Sequence, residues 1–319
     1  LLLLFVRKEI MSKLALVFPG QGSQVLGMLA DLAAEHVLVK ATFDEASAAL
    51  GLDLWVLAQN GPEAELNRTE NTQPLLLTAG VAVFRAWQAA GGKTPDYLAG
   101  HSLGEYTALV AAGVISLADG VRLVAERGRL MQLAVPAGEG AMAAILGLDD
   151  DVVRQCCADA ASVGVVEAVN FNAPGQVVIA GSKAAVAAAI EKLKAAGAKR
   201  ALPLPVSVPS HCALMKPAAE KLKVSLESVV FNLPVIPVVQ NVDALVAGDA
   251  AAIRDALVRQ LYCPVLWVKS VEALSGLGVT RVLECGPGKV LCGLNKRIVK
   301  DLECASLENA ESFKAALAV

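Results

Sequence analysis

Asp96-Tyr97-Leu98-Ala99-Gly100-His101-Ser102-Leu103-Gly104-Glu105-Tyr106 is the stretch whose reading decides the fold. Residues 96–99 read as a short apolar strand and 103–112 as a helix. Between them Gly100-His101-Ser102-Leu103-Gly104 matches G-x-S-x-G. On a strand-to-helix turn such glycines permit close packing, the serine hydroxyl is exposed, and the helix N-terminus faces any oxyanion. Upstream, residues 13–18 form an apolar strand ending at Pro19-Gly20, and Thr72 with Pro74 reads as the cap and first turn of a helix reaching about residue 90. Downstream, Ser116 followed by Asp119 opens a helix that carries Arg127 and ends near residue 134. Strands alternating with helices at this rhythm predict a parallel α/β sheet.

The middle of the chain has a different order. Residues 141–148, 149–160, 165–170, 176–180, 182–196 and 198–206 read β-α-β-β-α-β, the ferredoxin-like unit. The expected architecture is therefore a large α/β domain, residues 11–136 and 207–319, with strands resuming at 234–242 and 280–285. A small ferredoxin-like domain, 137–206, is inserted into it. The opening LLLLFVRKEI places apolar residues ahead of charges, the reverse of a signal peptide, so Met11 reads as the native start and residues 1–10 as a leader outside the fold.

Composition narrows the function. The 319 residues carry 28 Lys+Arg against 31 Asp+Glu, for a net charge of −3, with only 4% aromatics. Neither a basic balance nor interleaved aromatics is present, so no nucleic-acid partner is expected. Hydrophobic residues reach 55%, yet no run approaches the roughly 18 apolar residues that span a bilayer, so we expect a soluble chain with no membrane partner. Seven cysteines, with Cys156 and Cys157 adjacent and no C-x-x-C pair, read as reduced thiols of a cytoplasmic protein. No H-E-x-x-H or Cys/His cluster suggests a metal.

A serine nucleophile needs a base, and His36, His101 and His211 are the imidazoles available. His36 lies in a helical stretch and reads as a surface or capping residue. His101 adjoins Ser102, where a tight turn sends neighbouring side chains apart, so it reads as a brace of the turn. His211, in Val208-Pro209-Ser210-His211-Cys212, remains as the base. The oxyanion would take the Leu103 amide and a second amide from Phe18-Pro19-Gly20-Gln21-Gly22-Ser23-Gln24, where glycines flank Gln21. That loop is a weak dinucleotide fingerprint, since the sixth position from Gly20 is Val25. Gly286-Pro287-Gly288-Lys289 lacks P-loop spacing and reads as a strand-to-helix turn.

FPGQGSQ, GHSLGEY, Arg127-Gly128, VPSH and ECGPGK occur in this order over nearly the whole chain from Met11. In them the chain resembles the bacterial malonyl-CoA:acyl carrier protein transacylases. The resemblance implies an α/β-hydrolase-like large domain carrying a ferredoxin-like insertion, the architecture already read from element order, and an [acyl-carrier-protein] S-malonyltransferase of fatty acid synthesis. It makes Ser102 the acylated nucleophile and His211 its base, with Gln21 and Leu103 at the oxyanion. It assigns Arg127 to the malonyl carboxylate, a match for a guanidinium's paired donors; spacing alone does not choose it over Arg122 or Arg129. It makes Gln260 the residue that orients the histidine in place of a triad acid, and it puts Asn170 and Asn172 on the cleft. Leu103 and Ser210 fall where related acyltransferases vary with substrate branching. Malonyl-CoA and acyl carrier protein are the implied partners, no cofactor is implied, and a monomer is expected. Candidate basic patches for an acidic carrier are Lys192, Lys194, Lys199 and Arg200, and Lys296, Arg297 and Lys300. A serine thioesterase, with water as acceptor, and a non-catalytic carrier-docking module remain as alternatives.

Overall fold

The structure, a computed structural model, describes residues 12–206 and 208–318, so the leader expected at 1–10 lies outside the described residues. Its strands are β1 (Lys13–Phe18), β2 (Tyr97–Gly100), β3 (Gly140–Leu146), β4 (Val166–Ala173), β5 (Gln176–Ser182), β6 (Arg200–Pro203), β7 (Val238–Val239), β8 (Val279–Glu284) and β9 (Glu303–Ser306). They form a five-stranded sheet in the order β7-β2-β1-β8-β9, parallel throughout, and a four-stranded antiparallel sheet in the order β4-β5-β3-β6. The α/β architecture expected from the element order is borne out.

Strand β1 shows why the parallel sheet forms. Its run LALVF is buried on both faces, with Leu14, Leu16 and Phe18 in one apolar cluster and Ala15 and Val17 in another. A strand covered by helices on both sides needs such an unbroken apolar run. The helix Thr69–Ala89 packs in the larger cluster and is buried almost all round. It begins three residues before the expected cap. The Thr72 hydroxyl donates back to the Leu66 carbonyl, and Pro74 sits inside the helix, where its missing N–H costs one bond near the N-terminus. Strand β7 shrinks to two residues because Pro234 and Pro237 flank it, and β9 was not anticipated.

In the antiparallel sheet, Ala143, Ile145, Val177 and Ile179 face the helices Asp150–Ala160 and Lys183–Ala195. Alternate residues Met142, Val178 and Ala180 point to the other face, which no helix of this unit covers. That face looks across at the end of β2. Strand β4 is tied to the segment before the helix Trp267–Gly276, where Val265 donates to the Val169 carbonyl (2.9 Å) and accepts from the Phe171 amide (3.0 Å). All seven cysteines are free. Among the described residues no helix is long and apolar enough to cross a membrane, and no group of three or more His, Cys, Asp or Glu side chains could hold a metal ion.

Candidate active site

A cleft of about 660 Å³ opens between the two sheets, with Ser102, His211 and His101 on one wall and Met142, Val178 and Asn170 on the other. Ser102 caps the helix Leu103–Ala111 with φ 52° and ψ −105°, a conformation that L-residues rarely adopt. The flanking glycines are required by contact. A Cβ on Gly100 would stand 1.9 Å from the Gly104 carbonyl oxygen, and one on Gly104 would stand 2.1 Å from that of Phe18. The turn is held from outside by Asn241, whose Oδ1 accepts from the Ser102 amide (2.7 Å) and whose Nδ2 donates to the Gly100 carbonyl (2.7 Å).

His211 also has a left-handed backbone, φ 67°. Two carbonyls at the end of the helix Ala250–Gln260 fix it: Leu261 O accepts from its amide at 2.9 Å and Gln260 O from its Nδ1 at 2.6 Å. With the proton on Nδ1, Nε2 is an acceptor, and the Ser102 hydroxyl donates to it at 2.8 Å. The helix end thus supplies what a triad carboxylate would: orientation, the correct tautomer, and partial negative charge beside the ring. Burial, and after it the positive charge of Arg127, push the His211 pKa down to about 3, so the imidazole is neutral at ordinary pH.

Arg127 has no exposed surface. It lies behind Ser102, its Nη2 donating to the Ser102 hydroxyl (3.2 Å) and to Gln260 Oε1 (3.0 Å), its Nη1 to Gln73 Oε1 (2.7 Å). Its Nε, buried, has no partner, which leaves one guanidinium N–H free for a further acceptor. Gln260 serves in two ways that the sequence does not separate. Its backbone carbonyl holds the histidine, while its side chain reaches Arg127, the Ser102 carbonyl (2.9 Å) and Glu105 (2.9 Å).

The remaining expected residues fall around this centre. Leu103 opens its helix, and among the described residues neither its amide nor that of Gln21 donates to a protein acceptor. The Gln21 side chain donates to Thr69 Oγ1 (2.9 Å), which also accepts from Gln73 Nε2 (3.1 Å), tying the loop to the residue that holds Arg127. Asn170 and Ser210 line the cleft, the Ser210 hydroxyl donating to the Val208 carbonyl (3.5 Å) rather than to Ser102 or His211. The His101 ring hydrogen-bonds, tying the turn to a neighbouring strand. The turn directs it across the cleft, where Nε2 bonds Asn172 Oδ1 at 2.8 Å on β4. His36 packs its ring on Phe313, remote from the site. Asn241, Gln73 and Glu105 were not foreseen. Of the three, only Glu105 carried a signal, a charge within an otherwise apolar helix.

The arrangement can do one kind of chemistry well. A neutral imidazole accepts the serine proton, and an adjacent cation favours the oxygen that results.

A family model described as acyl transferase domain matches residues 15–260. The chain is 62% identical over 307 residues to the malonyl CoA-acyl carrier protein transacylase of Escherichia coli (strain K12), covering 96% of this chain and 99% of that one. The crystal structure of the malonyl-CoA:acyl carrier protein transacylase of Xanthomonas oryzae pv. oryzae superposes with a TM-score of 0.95 at 57% identity, covering 96% and 98% of the two chains. A malonyl-transacylase solved in complex with the acyl-carrier protein of a type II PKS superposes with a TM-score of 0.95 at 59% identity, covering 96% and 99%.

Proposed function

The chain belongs to the acyl transferase family, among its malonyl-CoA:acyl carrier protein transacylases, and from that premise we propose that it moves malonyl groups from malonyl-CoA to the thiol of acyl carrier protein through an ester on Ser102. The observation that carries the reading is the placement of the Ser102 hydroxyl between His211 Nε2 at 2.8 Å and Arg127 Nη2 at 3.2 Å, at the floor of a cleft. His211 takes the hydroxyl proton as the oxygen attacks the thioester carbonyl, and the oxyanion lies against the Leu103 and Gln21 amides. The imidazolium, facing the carbonyl of Gln260, then gives its proton to the departing CoA thiolate. The thiol of the carrier's phosphopantetheine arm enters the same cleft and the steps run in reverse. Thioester becomes oxygen ester and then thioester, so the reaction needs no metal or redox cofactor and is readily reversible.

The malonyl carboxylate takes the Nε–Nη2 edge of Arg127, accepting from the free Nε and from an Nη2 proton released by Ser102 or Gln260. An arginine buried beside the nucleophile and lacking a carboxylate partner of its own is suited to a substrate that brings one. The product supplies malonyl carrier for fatty acid synthesis. Seven free cysteines support a cytoplasmic location.

The test is product analysis with malonyl-CoA in the presence and absence of phosphopantetheinylated acyl carrier protein. Malonyl carrier forming far faster than free malonate supports the transferase. Free malonate at the same rate in both would make the protein a hydrolase.

A further inference from the structure

Glu105 is fully buried, three residues after Ser102 on the same helix, and touches neither the cleft nor the Ser102 hydroxyl. A glutamate at this position ordinarily turns back to the amide of the capping residue. Here that amide is taken by Asn241 Oδ1, and Glu105 Oε2 instead accepts from the Asn241 backbone amide at 3.1 Å and from Gln260 Nε2 at 2.9 Å. Both partners are hinges of the site: the Asn241 side chain spans the nucleophile turn, and Gln260 holds His211 with its backbone and Arg127 with its side chain.

We propose that Glu105 is a positioning residue that sets nucleophile, base and arginine in one register by fixing the orientation of the Gln260 amide. An ionised carboxylate only accepts hydrogen bonds, and a guanidinium only donates. Between them the Gln260 amide has one satisfied orientation, NH₂ toward Glu105 and oxygen toward Arg127. The reverse would set donors against donors and acceptors against acceptors. Burial pushes the Glu105 pKa up to about 7 against the pull of its two hydrogen bonds, with Asp243 and Arg127 the charged groups that act on it. A carboxylate held at that cost, where an apolar side chain would fill the same space, fits a task beyond packing.

The inference rests on the serine-nucleophile reading above, so its test uses a probe that needs no malonyl group. The measurement is the rate of Ser102 labelling by a fluorophosphonate, with the labelling endpoint correcting for the folded fraction, in the native protein, Glu105→Gln and Glu105→Asp. Glutamine keeps an oxygen able to accept from both amides, and its NH₂ replaces Oε1, which has no partner. Its rate is expected within about threefold of native. Aspartate keeps the charge but withdraws it by about 1.5 Å, breaking the Gln260 contact. Its rate is expected to fall at least about tenfold, the loss of one charged hydrogen bond, with a matching fall in preference for malonyl-CoA over acetyl-CoA. A purely structural role would lower the endpoint and leave the rate. A native-like aspartate variant, or a glutamine variant as slow as the aspartate one, overturns the inference alone. Native protein that takes up no probe at Ser102 overturns the serine reading and the inference together.

Discussion

Replacing Arg127 with alanine should change which acyl group the enzyme accepts more than whether it accepts any. The guanidinium donates to Gln73, Gln260 and the Ser102 hydroxyl, and its Nε–Nη2 edge is the proposed seat of the malonyl carboxylate. A charged hydrogen bond contributes about 1.5–3 kcal/mol, so losing even one of the two to the carboxylate lowers kcat/KM for malonyl-CoA by about ten- to a hundredfold. Acetyl-CoA, which has no carboxylate, loses only the help that Arg127 gives the serine oxygen, and the malonyl-to-acetyl preference falls accordingly. The substitution also orphans Gln73 Oε1 and Gln260 Oε1, at about 1–3 kcal/mol each, partly offset by removing a buried charge. A thermal melt beside the kinetics separates that effect. The assay is rapid quench followed by intact mass, with each CoA ester in turn. An equal fall for both esters would refute the clamp and leave Arg127 a general support of the site.

Three further outcomes are expected. Because burial and Arg127 hold the His211 pKa down to about 3, and neutral imidazole is the active form, Ser102 acylation should change by no more than about threefold as pH falls from about 8 to about 5, the step that follows protonation of Glu105 near 7, and fail only below. Arg127→Ala removes the positive neighbour and should move that acid limb upward; a limb at the ordinary histidine value in the native protein would contradict the burial argument. Gly104→Ala, whose Cβ would stand 2.1 Å from the Phe18 carbonyl oxygen, should prevent the turn from packing on β1, read as loss of folded protein by circular dichroism. Glu284 at the end of β8 accepts from the amides of Leu291 (3.1 Å) and Cys292 (2.8 Å), so Glu284→Ala should cost about 2–5 kcal/mol in a denaturant titration. That contact is also why Gly286-Pro287-Gly288-Lys289 is a strand-to-helix turn, with a carboxylate where a phosphate-binding loop would need an open amide.

Elements with a local cause were legible in the sequence, and those set by distant partners were not. The G-x-S-x-G turn was readable because both glycines answer to steric contacts within a few residues or with the adjoining strand. The order of the antiparallel unit was readable because each strand and helix carries its own period. Arg127 was not separable from Arg122 and Arg129 by spacing, yet its helix buries Gly120, Val121, Val124, Gly128 and Met131, and Arg127 lies on that stripe. Arg122 and Arg129 are half-exposed and bonded to Ala49 and Glu126. A charge on an apolar face was thus the available signal. Thr72 and Pro74 misled because cap chemistry is also used inside a helix, the threonine bonding a carbonyl of the preceding turn. Asn241 and Gln73 had no signal, since neither holds the site through anything nearer than a hundred residues for one and fifty for the other.

The most direct test of the central claim is the intact mass of the native protein and Ser102→Ala after brief exposure to malonyl-CoA, followed by addition of carrier protein. One malonyl group on the native chain, none on Ser102→Ala, and discharge to the carrier's thiol is the result expected. A malonyl adduct that survives Ser102→Ala, or malonate accumulating with no adduct and no malonyl carrier, would contradict it.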